Sequence, residues 1–154
     1  NNHYIKNEPV DKLAALIKPK LVDNGVKVID DEILTNAIKL YQDREKNLNV
    51  FSEDILFFFK EASPSEELKN KYLVEKSKSL VKTFIDGLEE INWTNEDVNN
   101  FLKYFIKKQE IKFPEIAMPL RTIIAGTDNT PSIGSIIFII GIEVVRKRIS
   151  VILE

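Results

Sequence analysis

"SIGSIIFIIGI", Ser132 to Ile142, is the stretch that decides the fold class. Its β-branched isoleucines favour a strand by propensity, while the segments on either side of it carry helical periodicity. A strand needs a partner, because backbone N–H and C=O groups left unpaired in an interior are costly. No second strand pattern is evident elsewhere in the chain, so the stretch reads as a buried helix and the whole chain as all-α. Immediately before it runs "MPLRTIIAGTDNTPS", Met118 to Ser132, which sets Arg121 on an apolar helical face just ahead of Gly126 and an Asp-Asn-Thr-Pro turn. That arginine either snorkels to solvent or reaches for something outside the protein.

Further out, the same periodicity gives the remaining elements. Pro114 at N1 opens a helix whose Ile116, Leu120, Ile123 and Ile124 face inward and which stops at Gly126. Thr130 and Pro131 are placed to be N-cap and N1 of the next helix. Glu143 to Leu153 closes the chain as an amphipathic helix with Val144, Val145, Ile149 and Ile152 on one side, and Arg146 to Arg148 on a solvated face. Upstream, Thr94 with Asp97 three residues on caps a helix carrying Val98, Phe101, Leu102 and Phe105. Before that, Leu80, Val81, Phe84, Ile85, Leu88 and Ile91 form another stripe. In the first third, Leu13, Leu16, Ile17 and Leu21 mark a helix that Pro19 should kink or break and Gly25 should end. Ile33, Ala37, Leu40 and Tyr41 mark a second, capped by Asp30 or Asp31. Phe51 to Asp54 reads as the start of a short N-capped helix, with the aromatic run to Phe59 in the core. "KEASPSEE", Lys60 to Glu67, is the internal boundary, with Ser63 capping a helix from Pro64. The organisation is therefore two small helical subdomains in tandem, 1–66 and 67–154.

Composition removes several functions. The 154 residues carry 44% apolar and 30% charged side chains, ordinary for a globular protein with a real core. Zero cysteines and a single histidine, His3, rule out disulfides, thiolate metal sites and the familiar Cys/His and Ser/His constellations. No catalytic residue, no metal site and no cofactor site are therefore expected in this chain. The longest apolar run, Ile136 to Ile142, is far below the roughly 20 residues a membrane span needs, so no membrane role is expected. A net charge of -2 argues against a sequence-independent nucleic-acid coat, whose affinity comes from many Lys and Arg contacts to phosphate. The chain begins with Asn rather than Met, and its first eleven residues are polar, so it reads as a piece of something longer without a signal peptide.

Acidic pairs at Asp30-Asp31, Glu53-Asp54, Glu66-Glu67 and Glu89-Glu90 fall near helix starts or on exposed faces, where capping and solubility explain them. "EKSKS", Glu75 to Ser79, lacks the glycines of a phosphate loop and reads as helix surface. The turn after Gly126 is different. A helix N-terminus there offers unpaired N–H groups and a positive dipole end, suited to phosphates or base oxygens, and Arg121 lies about one and a half turns before Gly126.

With these motifs in hand, the chain resembles the C-terminal anticodon-binding region of bacterial glutamyl-tRNA synthetases over essentially its whole length. "NNHYIK", Asn1 to Lys6, is similar to the Asn-x-x-Tyr-Ile that leaves the linking domain, and "DKLAALIKPKL" to the helix after it. "MPLRTIIAGTDNTPSI" resembles the family's Pro-Leu-Arg, small-Gly turn and Thr-Pro, and "FIIGIEVVRKRI" its closing Leu-Leu-Gly helix that ends in Arg. The resemblance implies an all-helical region that reads the anticodon of tRNA for glutamate, as a cytoplasmic monomer. ATP and Mg would be bound by a catalytic domain that precedes Asn1 in the parent enzyme. Arg44, in "YQDREKNL", falls where the family places an arginine that reads the third anticodon base. Arg121, Thr130, Pro131 and Ile133 fall where it contacts the first two. Arg44 favours rejection of tRNA for glutamine, the second candidate partner. Ser132 stands where the family commonly has glycine, and "QDREKN" lacks its Arg-x-x-Thr. The rival reading is a helical protein-interaction module of a larger chain, which would explain the apolar stripes but not the joint appearance of these motifs.

Overall fold

A computed structural model describes residues 2–153, apart from the side chains of Asn2, His3 and Tyr4. The sole histidine side chain and the Asn1 and Tyr4 positions of the opening motif thus lie outside the described residues. Every regular element among the described residues is helical, and they divide into two compact units, Asn1–Lys60 and Glu61–Glu154.

The first unit holds α1 (Asn2–Asn7), α2 (Val10–Asp23), α3 (Asp31–Tyr41), a 3₁₀ turn (Gln42–Arg44), α4 (Leu48–Asp54) and a second 3₁₀ turn (Leu56–Phe58). Helix α2 packs on α3 and α4, burying Leu13, Ile17 and Leu21 together with Leu34, Ala37, Ile38, Tyr41 and Phe51. Each of the leucine, isoleucine and phenylalanine side chains so removed from water contributes about 1.5–3 kcal/mol. The stripes expected from the sequence were rotated: Leu16 is 38% exposed, and Leu34 and Ile38 take the core places expected of Ile33 and Leu40. Both sets on α3 satisfy i, i+3, i+4 spacing, and packing against α2 selects one.

Pro19 does not break the sequence-predicted helix into two, because α2 runs through it. Its missing N–H deprives only the Ala15 carbonyl, and both residues are exposed, so water satisfies that carbonyl. Gly25, at φ +93°, ends the helix as expected, with Val26 N–H reaching back to the Leu21 carbonyl at 3.1 Å. Asp30 is the cap of α3, accepting from Ile33 N–H at 3.0 Å. Phe51 lies in the middle of α4 rather than at its start, since the helix begins at Leu48 and Asn47 is the cap, accepting from Val50 N–H at 2.8 Å. The aromatic run does enter the core, where Phe57 and Phe58 stack at 4.4 Å and Tyr41 meets Phe58 edge-on at 6.0 Å.

The second unit holds α5 (Glu66–Tyr72), α6 (Glu75–Leu88), α7 (Asn95–Lys108), α8 (Phe113–Ala125), α9 (Ile133–Ile140) and α10 (Ile142–Leu153). Helix α6 packs on α8, α7 on α9, and α10 on α6, α8 and α9. The deciding stretch is helical as read: Ile133, Ile136, Ile137 and Ile140 are buried at i, i+3, i+4, i+7. Ser65, not Ser63, caps α5, accepting from Leu68 N–H at 3.2 Å. Thr94 caps α7 as expected, at 3.0 Å from Asp97 N–H.

Gly134 lets α7 and α9 approach closely, for a Cβ there would collide with the Asn99 amide. Gly134→Ala should therefore push the Asn99 amide aside and break its hydrogen bonds to Ser132 and Ser135, at a net cost of about 1 kcal/mol after the gain in helix propensity. Thermal unfolding of the 154-residue chain should show a melting point lower by about 2–4 °C for each kcal/mol, and an unchanged melting point would contradict this packing.

Candidate nucleic-acid interface

The turn between α8 and α9 is fixed before any ligand is considered. Helix α8 starts with the Glu115 carboxylate accepting from Lys112 N–H at 2.7 Å, a bond that, with the Lys76 ammonium, holds this carboxyl below its ordinary range. It ends at Gly126, whose φ of +72° is the left-handed conformation that glycine adopts without a Cβ clash. A Cβ at Gly126 would also stand 3.0 Å from the Ala62 side chain. Tyr72 pins the turn by donating its hydroxyl to Asp128 at 3.0 Å.

Arg121 and Thr130 meet across that turn. The Arg121 Nε donates to Thr130 Oγ1 at 2.9 Å and Nη2 to the Thr130 carbonyl at 3.3 Å. Thr130 Oγ1 in turn donates to the Pro131 carbonyl at 2.8 Å. The guanidinium lies 5.7 Å from the ring centroid of Phe113, which is 43% exposed, within cation–π range. A planar cation, an exposed ring and a helix start are thereby gathered in one place.

The expected cap is corrected here. Thr130 is turned to Arg121, and Ser132 caps α9, accepting from Ser135 N–H at 3.2 Å while donating to Asn99 at 3.2 Å. Where the family commonly has glycine, this chain thus uses a side chain. Pro131 is half-buried, whereas Ile133 is buried and presents no side chain to the surface. What Ile133 can offer a ligand is its place in the N-terminal turn of α9, whose N–H groups point outward.

Arg44 belongs to the first unit. It ends the 3₁₀ turn after α3 and is exposed, its guanidinium carbon 5.8 Å from the Tyr41 ring centroid. Gln42 anchors that turn: its amide donates to the Ile5 and Glu8 carbonyls, both at 2.8 Å. Beside Arg44, Glu45 is buried, with Oε1 lacking any hydrogen-bond partner. Burial first, then the hydrogen bond and charge of Asp54, push the Glu45 carboxyl up to about 8, with Arg44 pulling the other way. Sequence reading missed Gln42, Glu45 and Phe113. Only Phe113, an aromatic beside a proline at a helix start, left a signal that could have been followed.

Arg148 is the clearest reversal. Expected on a solvated face with Arg146 and Lys147, it is 5% exposed and donates Nη1 to the Ile124 carbonyl at 2.7 Å. That carbonyl lies in the last turn of α8, where helices leave acceptors unpaired. Arg146 does face outward, paired with Glu89. Among the described residues there is no group of three or more metal-ligating side chains, and no helix long and apolar enough to cross a membrane.

This is a helical chain in which an arginine, a threonine and a helix start converge at one turn. It belongs to the anticodon-binding domain family, whose model matches residues 12–153. The chain is 32% identical over 154 residues to a glutamate–tRNA ligase of Methylobacillus flagellatus, covering 100% of this chain and 33% of that protein. It is 31% identical over 150 residues to a glutamate–tRNA ligase of Dechloromonas aromatica, covering 97% of this chain and 32% of that one. Among solved structures, a glutamate tRNA ligase from Elizabethkingia meningosepticum superposes with a TM-score of 0.85 at 20% identity, over 97% of this chain and 30% of that chain. Glutamate–tRNA synthetase from Elizabethkingia anophelis gives 0.81 at 19%, over 97% and 29%. The chain thus spans about a third of the length of the relatives it matches, and the structural likeness supports the all-α fold.

Proposed function

We propose that this chain is the anticodon-reading part of a glutamate–tRNA ligase, binding tRNA for glutamate and supporting its glutamylation by a catalytic domain elsewhere in the parent enzyme. ATP and Mg belong to that domain, and the working form is a cytoplasmic monomer. Arg44 reads the third anticodon base: a guanidinium donates to the acceptor edge of cytosine and opposes guanine's donor-bearing edge. Arg121, Thr130, Pro131 and the first turn of α9 around Ile133 take the first two bases. The observation that carries this reading is the double hydrogen bond from Arg121 to Thr130, which fixes a guanidinium plane beside the exposed Phe113 ring. Unstacked RNA bases are recognised on such planes and rings.

The test is a titration with anticodon stem-loops ending in cytosine and in guanine. The cytosine loop should bind about five- to a hundredfold tighter, the equivalent of about 1–3 kcal/mol. Arg44→Ala should remove most of that preference. Equal binding of both loops by the unaltered chain would defeat the discriminating role of Arg44 and bring tRNA for glutamine in as a second partner.

A further inference from the structure

The second unit contains a cavity of about 360 Å3 whose walls include Glu61, Ser63, Lys69, Ile123, Arg148 and Ile152. Arg148 reaches it from a position 5% exposed. One guanidinium arm is spent on the Ile124 carbonyl at 2.7 Å, and a guanidinium carries five N–H donors in a planar fork. No carboxylate of the described residues stands within ion-pair distance of Arg148, and Glu61 acts on it only through its charge. Desolvation holds the guanidinium below its ordinary pKa, so its charge is poorly compensated where it is. Lys69, partly occupied by Glu66 at 3.5 Å, adds a second cation to the wall, and Ser63 a hydroxyl. The lining residues themselves carry two cations and one carboxylate, with Glu66 drawing on Lys69 from outside the lining, and the volume exceeds that of a few waters.

We propose that this cavity is an oxyanion site that takes a phosphate or carboxylate group between the Arg148 guanidinium and the Lys69 ammonium, with Ser63 as a further donor and Glu61 as its electrostatic competitor. Arg–phosphate and Arg–carboxylate pairs match the guanidinium fork in two parallel hydrogen bonds. Because Arg148 also holds the last turn of α8, an occupied cavity bears on the helix that carries Arg121. The site stands on these residues alone and does not depend on the anticodon reading.

The experiment is an NMR titration of the 154-residue chain with inorganic phosphate against chloride at constant ionic strength, following the Arg148 side-chain Nε–H and the amides of 61–63. Phosphate should shift these signals saturably where chloride does not. Glu61→Gln should tighten binding by roughly two- to fivefold, since it removes the competing charge. Arg148→Lys should weaken it at least about tenfold through loss of the fork. Lys69→Gln, at a half-exposed position that leaves the core intact, should also weaken it and covers the case in which Arg148→Lys unfolds. Repeating the titration with an anticodon stem-loop bound separates the sources: mutual exclusion identifies an RNA backbone phosphate, and independent binding identifies a free small anion. Shifts equal to those of chloride, or phosphate shifts unchanged in both Glu61→Gln and Lys69→Gln, would overturn the proposal.

Discussion

Arg121→Ala should weaken binding of an anticodon stem-loop from tRNA for glutamate by up to about 100-fold, approaching 3 kcal/mol, while leaving the chain folded. The size follows from two losses at once. The guanidinium itself disappears from the site, and Thr130 loses the donor that holds its hydroxyl and carbonyl at 2.9 and 3.3 Å. Arg121→Lys should rescue little, because an ammonium cannot bond Thr130 through two nitrogens and lie flat beside Phe113. Calorimetric titration gives the affinity, and a parallel melting curve separates a binding defect from a folding defect. Full affinity in Arg121→Ala would remove this arginine from the interface.

Glu45→Gln should change how stability depends on pH. The folded chain holds the Glu45 proton up to about 8, above the ordinary 4.5. A raised folded pKa stabilises fully below the unfolded value and is lost as pH rises through the folded one, because the native state binds the proton that the unfolded chain has released. The unaltered chain should thus lose stability between about pH 4.5 and 8, by on the order of 1 kcal/mol per pH unit from this group. Glutamine keeps the neutral shape and can donate to Asp54. The variant should be flatter over that window and overtake the original chain towards pH 8 in urea denaturation. Parallel curves for the two proteins would contradict a buried neutral carboxyl beside Arg44.

The helical class was legible because one argument settled it: Ser132 to Ile142 had no strand to pair with, and its isoleucines fall at i, i+3, i+4 and i+7 in α9. Caps that act within four residues, Asp30 and Thr94, were legible for the same local reason. What could not be read depends on partners distant in sequence. Arg148 looks solvated until Ile124, 24 residues away, supplies a carbonyl. Gln42 looks like surface until α1 places carbonyls at its amide. Thr130 is chemically able to cap α9, and only the nearby guanidinium diverts it and leaves the cap to Ser132. Of the site, Arg121 and Thr130 converge as a pair, Ile133 turns its side chain inward, and Phe113 joins them only because the fold carries the start of α8 to the Arg121 guanidinium.

The most direct test is to titrate the isotopically labelled chain with an anticodon stem-loop from tRNA for glutamate and with the same stem carrying a scrambled loop, at one low salt concentration. The first should bind saturably, at least about fivefold tighter than the second, with shifts at Phe113, Arg121 and residues 130–133. Equal affinity for both loops, or shifts elsewhere with none at these residues, would contradict anticodon reading at the α8–α9 turn.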